Sequence, residues 1–164
     1  MNYWEERYLK GETGWDAGTI TTPLKEYINQ LTDKNLKILI PGAGNSYEFQ
    51  YLIESGFTNV HVLDYAATPI KNLKNKFPTL NEKFFLEMDF FELNETFDLI
   101  IEQTFFCALN VEMRQKYADK MHAILQPKGK LAGLLFQFPL TESGPPFGGS
   151  SEEYRNLFAE KFDI

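Results

Sequence analysis

Residues 36–45 read Leu36-Lys37-Ile38-Leu39-Ile40-Pro41-Gly42-Ala43-Gly44-Asn45, an apolar run that passes directly into a glycine turn. The run has the length and aliphatic content of a buried strand, and Gly42 and Gly44 allow a backbone turn and a close main-chain approach that side chains would obstruct. Asp64 stands 22 positions beyond Gly42, at the end of the next β-rich run, Val60-His61-Val62-Leu63-Asp64. A strand, a glycine turn, a helix and a carboxylate closing the second strand form the device by which an α/β domain holds a nucleotide ribose.

Outward from this stretch, short β-rich runs alternate with longer helical periods, the pattern of βαβ units. Thr22 is read as the cap of a first helix, with Pro23 preset for its first turn and Leu24, Tyr27, Ile28 and Leu31 on one face. Ser46 is expected to cap the helix after the glycine turn, which carries Phe49, Leu52 and Ile53 and ends near Gly56. Thr68-Pro69 opens the next helix, with Ile70, Leu73 and Phe77 inward, and strands three and four are expected over residues 83–88 and 97–101. Asn110 is read as the cap of a long helix through Arg114, Tyr117, Ala118, Met121, Ile124 and Leu125, stopped by Pro127 and Gly129. Strand five follows over residues 130–138. Residues 139–150, with three prolines and three glycines, are expected to form a long loop at the carboxyl end of that strand. Ser151 then caps a short helix through Leu157 and Phe158, and Phe162-Asp163-Ile164 resemble the start of a sixth strand.

The expected fold is α/β and Rossmann-like, a mostly parallel sheet with helices on both faces. It is read as a single domain over residues 1–164, with an N-terminal aromatic flap at 1–21 and the 139–150 loop over an acceptor site. A chain of 164 residues suits one core. Its net charge of −7 and pI near 4.9 disfavour a sequence-independent grip on nucleic acid. A single cysteine precludes an internal disulfide, the amino terminus lacks a secretory pattern, and the longest apolar stretch, near residues 131–138, is too short for a bilayer. A cytoplasmic protein without a membrane partner is expected.

The dinucleotide fingerprint would want a third glycine at position 47, where this chain has Tyr47. That bulk argues against a pyrophosphate lying on the helix, so a ligand with a ribose but no pyrophosphate fits better. Asp64 can accept from both ribose hydroxyls, Asp89 from an adenine amino group, and Phe90 can pack on the ring. Trp4, Tyr8 and Trp15, with Arg7 and Lys10 between them, offer aromatic faces that attract a cation without presenting a nucleophile. S-adenosyl-L-methionine, with S-adenosyl-L-homocysteine as product, meets these requirements. The bland readings stay open: a tight βα connection for the glycines, a turn cap for Asp89, a packed flap for the aromatics. Cys107, between Phe106 and Ala108, is read as a packed small hydrophobe, His61 as a strand residue and His122 as solvent-facing. No metal is expected, and Glu152-Glu153 is read as a favourable first helical turn.

Several segments together resemble the thiopurine methyltransferase superfamily, most closely its halide and thiol methyltransferase branch. They are Trp4 with Tyr8, Gly14-Trp15-Asp16, Ile40-Pro41-Gly42-Ala43-Gly44-Asn45, Val62-Leu63-Asp64, Met88-Asp89-Phe90-Phe91 and Phe97-Asp98-Leu99-Ile100. Thr104-Phe105-Phe106-Cys107-Ala108-Leu109 and Gly144-Pro145-Pro146-Phe147 complete the set and are its most specific members. The resemblance implies a class I methyltransferase with Trp4, Tyr8, Trp15, Gly42, Asp64, Asp89, Phe90 and Gln103 at cofactor positions. It places Phe105, Phe106, Cys107 and Phe147 near the acceptor. Gln103 stands where the family usually has tyrosine or arginine. The family's last antiparallel strands are expected to be missing, which leaves a sheet edge open to a weak homodimer if the chain is not monomeric.

The implied chemistry is methyl transfer to a small soft nucleophile, a thiol, thiopurine-like sulfur or halide. In-line displacement on a sulfonium needs positioning and desolvation more than a general base, so no catalytic dyad is required and no catalytic residue is assigned. Glu102-Gln103-Thr104-Phe105 differs from the Asn or Asp followed by two prolines and an aromatic that amino-group methyltransferases carry. The competing readings are a nicotinamide-dependent oxidoreductase and a truncated, catalytically silent cofactor binder.

Overall fold

The computed structural model describes residues 2–141 and 143–164; Met1 of the expected flap and Glu142 of the expected loop lie outside them. Five strands, β1 (Ile38–Pro41), β2 (Val60–Asp64), β3 (Phe85–Glu87), β4 (Phe97–Gln103) and β5 (Leu125–Leu134), form one sheet in the order β3-β2-β1-β4-β5. All four strand pairings are parallel. The helices are α1 (Tyr3–Leu9), α2 (Thr22–Asn29), α3 (Tyr47–Glu54), α4 (Ala67–Lys76), α5 (Arg114–Ala123) and α6 (Ser151–Phe158).

The period of two along each strand divides the core. Ile38, Ile40, Val60 and Val62 point to the face covered by Leu24 and Ile28 of α2, Phe49 and Leu52 of α3, and Ile70 and Leu73 of α4. Leu39, Leu63 and Ile100 point to the other, against Tyr117 and Met121 of α5 and Tyr154 and Phe158 of α6. Central strands buried on both sides are largely apolar, which is why residues 38–40 read as an uninterrupted hydrophobic run and residues 60–63 break theirs only at His61, itself buried. Burying each such side chain contributes about 1.5–3 kcal/mol, so the two faces carry the fold together. The sheet is therefore doubly wound and Rossmann-like. Its strand order reverses at β1, and β1 and β4 open a crevice at their carboxyl ends, where open α/β sheets bind ligands.

Local expectations need adjustment at several ends. Thr21, not Thr22, occupies the cap of α2, and it makes no side-chain cap bond. Ser46 does sit before α3, but in a left-handed conformation with no capping bond. α4 starts at Ala67, before the Thr68-Pro69 pair. β3 shrinks to Phe85–Glu87 because Glu82–Phe84 wind into a 3-10 turn capped by Asn81. Asn110 precedes a 3-10 turn over Val111–Met113 without a capping bond, and α5 begins only at Arg114. β5 runs earlier than expected, from Leu125, and its pairing to β4 breaks between Phe97 and Leu99. Pro127, which lacks an N–H for the ladder, and Lys128, at φ +68, lie in that irregular stretch. Ser150 rather than Ser151 caps α6, in a reciprocal capping box with Glu153. Residues 162–164 form no strand, so β5 is an edge and the sheet has no antiparallel strand among the described residues.

Candidate cofactor and acceptor site

The carboxyl ends of β1, β2 and β4 gather the polar groups. After Pro41 the chain turns through Gly42 at φ +63 and Gly44 at φ +52, the left-handed region that a Cβ disfavours. A Cβ on Gly42 would lie 2.5 Å from Phe105 Cδ2, so that glycine is also required by its neighbour, and one on Gly44 would crowd Tyr8 Oη at 3.1 Å. Asp64, 6% exposed at the end of β2, braces this turn. Its Oδ2 accepts from Gly44 N at 3.0 Å and its Oδ1 from Ala66 N at 2.9 Å. Burial pushes the Asp64 carboxyl above its ordinary value, and the backbone donors oppose that shift. Each oxygen retains a lone pair for a further donor.

Asp89 Oδ1 accepts from Phe91 N at 2.8 Å and so caps the 3-10 turn Phe90–Glu92. The capping role and a place in the site coexist, because Asp89, Phe90 and Asp64 all line a cavity of about 520 Å³. Trp4, Tyr8, Trp15, Gly42, Phe105 and Cys107 line it too. The flap aromatics meet edge to face: Trp4 and Trp15 with ring centres 5.4 Å apart, Tyr8 and Trp15 5.6 Å. Burial pushes the Tyr8 hydroxyl well up, so it stays a neutral donor.

A smaller adjoining cavity shares Tyr8, Trp15, Gly42 and Thr104 and adds Gly44 and Gln103. Gln103 Oε1 accepts from Thr21 Oγ1 at 2.8 Å. Sequence reasoning missed the rest of its polar lining. Asp16 accepts from Asn45 Nδ2 and from Tyr47 Oη, and Ser46 Oγ is buried without a partner among the described residues. The available signal was adjacency: Asn45, Ser46 and Tyr47 directly follow the turn, and Asp16 directly follows Trp15. Thr104 was also missed. It is a β-branched residue held at φ +64, strain of the sort that collects at functional sites, and it lines both cavities.

Two expected acceptor residues are placed elsewhere. Phe106 is 1% exposed and packs behind the cavity, its ring 5.0 Å from Tyr117 and 5.5 Å from Tyr154. Phe147 does not line the cavity either; its N–H donates to Cys107 O at 2.8 Å, and Pro145 and Pro146 present the loop to the cavity instead. Phe105 and Phe106 divide between cavity and core, and Pro145 and Pro146 line the cavity where Phe147 does not, which composition alone could not assign. Cys107 Sγ donates to Thr104 O at 3.4 Å, and burial pushes its thiol up to about 12, as suits a packed, protonated group.

Glu102, on β4, anchors the turn that carries Phe105 and Phe106. Its Oε2 accepts from Phe105 N at 3.1 Å and Phe106 N at 3.2 Å, while Oε1 is buried without a partner among the described residues. Burial outweighs these donors and pushes the carboxyl from 4.5 up to about 7. The folded protein thus keeps a proton that the unfolded chain has released, so this stabilisation is complete below about pH 4.5 and is lost as pH rises through about 7. Thermal unfolding of a Glu102→Gln variant, neutral at every pH with the same acceptor, is expected to lose less midpoint temperature between pH 5 and pH 8 than the parent. Parallel curves for the two proteins would remove Glu102 from the balance.

Three comparisons bear on this geometry. The profile of a family described as thiopurine S-methyltransferase matches residues 1–164. A probable thiol methyltransferase 2 of Arabidopsis thaliana is 35% identical over 161 residues, covering 94% of this chain and 70% of that protein. A thiopurine S-methyltransferase of Nitrosospira multiformis is 28% identical over 184 residues, covering 99% of this chain and 82% of its own. Among solved structures, the 1,6-didemethyltoxoflavin-N1-methyltransferase of Burkholderia thailandensis, determined with bound S-adenosylhomocysteine, superposes with a TM-score of 0.76 at 16% identity. The superposition covers 96% of this chain and 73% of that one and speaks to the fold.

Proposed function

Since the chain belongs to the thiopurine S-methyltransferase family and is an S-adenosylmethionine-dependent methyltransferase, we propose that its acceptor is a small soft nucleophile, a thiol, thiopurine-like sulfur or halide. The observation that carries this reading is the cavity lining. Phe105, Leu109, Met113, Pro145 and Pro146 supply an apolar wall, and the two carboxylates that line the cavity among the described residues, Asp64 and Asp89, are already engaged by backbone N–H groups. Neither histidine lines it. Such a wall strips water from a polarizable anion, and no proton has to be moved from a thiolate or halide at the moment of attack.

In this reading the free lone pairs of Asp64 accept from both ribose hydroxyls, Asp89 accepts from the adenine amino group, and Phe90 packs on the ring. Gly42 and Gly44 let the backbone approach the cofactor, with Gln103 beside it. Bound S-adenosylmethionine supplies an electrophilic methyl on a sulfonium. Trp4, Tyr8 and Trp15 surround positive charge with aromatic faces that cannot themselves be methylated. Phe105 and Cys107 face the acceptor, and the 139–150 loop covers it through Pro145 and Pro146. The partner is a small molecule, neither nucleic acid nor membrane, in keeping with the charge of −7, and no helix among the described residues is long and apolar enough to cross a membrane. We place the enzyme in the cytoplasm, as a monomer or a weak homodimer through the β5 edge. No observation favours a nicotinamide, since Tyr47 stands where the third glycine would be and its hydroxyl is engaged by Asp16.

Ranking acceptors by kcat/KM tests the proposal, with thiophenols, hydrosulfide, thiocyanate, iodide and thiopurines set against amines and phenols. Turnover confined to the sulfur and halide acceptors is expected. Preference for an amine or phenol would overturn the acceptor assignment, and cofactor binding without turnover of any acceptor would identify a silent binder.

A further inference from the structure

α1 brings Trp4 and Tyr8 to the site, yet none of its residues is buried. Seven residues are too few for a helix to persist alone in water, so something else has to hold it in place. Its hydrogen bonds to the body land on one short stretch. Glu5 Oε1 accepts from Thr68 Oγ1 at 2.6 Å and Glu5 Oε2 from Thr68 N at 2.9 Å. Asn2, the cap of α1, also donates through Nδ2 to Tyr65 O at 3.0 Å. Tyr65 directly follows Asp64, and Thr68 is the second residue of α4.

α4 has a specific need for this partner. Its cap position holds Ala66, which has no side-chain acceptor for the free N–H groups of the first turn. Glu5 supplies that acceptor from another helix, and its negative charge lies at the positive end of the α4 dipole. The two Thr68 donors in turn hold the Glu5 carboxyl below its ordinary value. On the far side of α1, Tyr8 Oη rests over the glycine turn, within 3.1 Å of where a Gly44 Cβ would stand.

We propose that Glu5 is a positioning residue: its two-pronged bond to Thr68 docks α1 as a lid, so that the aromatic wall and the Asp64 turn are assembled together. The role rests on the methyltransferase reading for what the lid covers, but the docking itself is independent of any ligand. Glu5 does not line the cavity in which cofactor and acceptor are proposed to lie. Its effect passes through Trp4 and Tyr8.

Hydrogen exchange followed by mass spectrometry on the ligand-free protein, paired with cofactor kinetics, separates these parts. In Glu5→Ala, residues 3–9 are expected to exchange about tenfold faster or more while β1, β2 and β4 keep their protection. KM for S-adenosylmethionine is expected to rise about tenfold with kcat at saturating cofactor nearly unchanged. Thr68→Ser, which keeps both donors, should behave as the parent; Thr68→Val, which keeps only the N–H, should fall between. Unchanged exchange in Glu5→Ala would overturn the docking role, and so would loss of protection across the whole sheet. Faster exchange of α1 with an unaltered cofactor KM would overturn the lid. A parent protein that binds no S-adenosylmethionine would instead refute the function reading, while the exchange comparison still decides the docking.

Discussion

An Asp64→Ala variant is expected to bind S-adenosylhomocysteine roughly thirtyfold more weakly or worse by calorimetry, about 2 kcal/mol as the minimum for losing a charge-assisted pair of hydrogen bonds. The structure raises the expected loss above that minimum. Asp64 also ties Gly44 N and Ala66 N, so its removal orphans two buried donors and loosens the glycine turn against which the cofactor is meant to lie. Asp64→Asn separates the contributions. Its amide oxygen can keep one of the two backbone bonds, its NH2 faces the other donor, and the charge is gone. The asparagine variant should therefore recover part of the fold stability but little of the affinity. Parent-like affinity in Asp64→Ala would remove this residue from the site.

Gly42→Ala is expected to cost about 2–4 kcal/mol of folding stability and to abolish measurable cofactor binding. Two costs combine at one atom. The backbone at φ +63 disfavours any Cβ, and this Cβ would meet Phe105 at 2.5 Å from Cδ2 and 3.0 Å from Cβ and Cγ. Phe105 cannot simply step aside. Its ring lies 5.1 Å from Phe90 and 6.1 Å from Tyr117, and its N–H is held by Glu102. Adding Phe105→Ala to Gly42→Ala should recover part of the stability by removing the ring, leaving the backbone cost and the contact at Cβ. Denaturant unfolding of the single and double variants checks this. A Gly42→Ala protein as stable as the parent would show that the turn is not as tight as described.

What the sequence made legible follows its strongest periods. Residues 38–40 and 60–63 had to be buried on both faces, and they lie at the centre of the sheet, where that pattern belongs. The ends of elements were harder, because caps are decided by one residue's conformation: Ser46 has the right chemistry for a cap but adopts φ +44, and Ser150 takes the role expected of Ser151. The glycine turn and Asp64 announced themselves by spacing. Phe106 did not separate from Phe105, since adjacent phenylalanines look alike until the turn sends one to the cavity and the other to the core, and Phe147 lies in a loop whose path no periodicity marks. Glu102 and Glu5 were invisible for a different reason. Their partners, Phe105 and Phe106 N–H for one and Thr68 for the other, are backbone and hydroxyl groups that no residue pattern marks.

On the proposed function, this cavity brings S-adenosylmethionine and a soft nucleophile together with no base between them. A single-turnover reaction of the protein with carbon-13 methyl-labelled S-adenosylmethionine and a thiophenol, followed by NMR, tests it most directly. The sulfonium methyl signal should be replaced by a thioether methyl, one equivalent for each S-adenosylhomocysteine formed, with a rate that follows the thiolate fraction and shows no additional protein pKa. A sulfonium signal that persists on the saturated protein, or transfer whose rate follows a protein base instead of the thiolate, would contradict it.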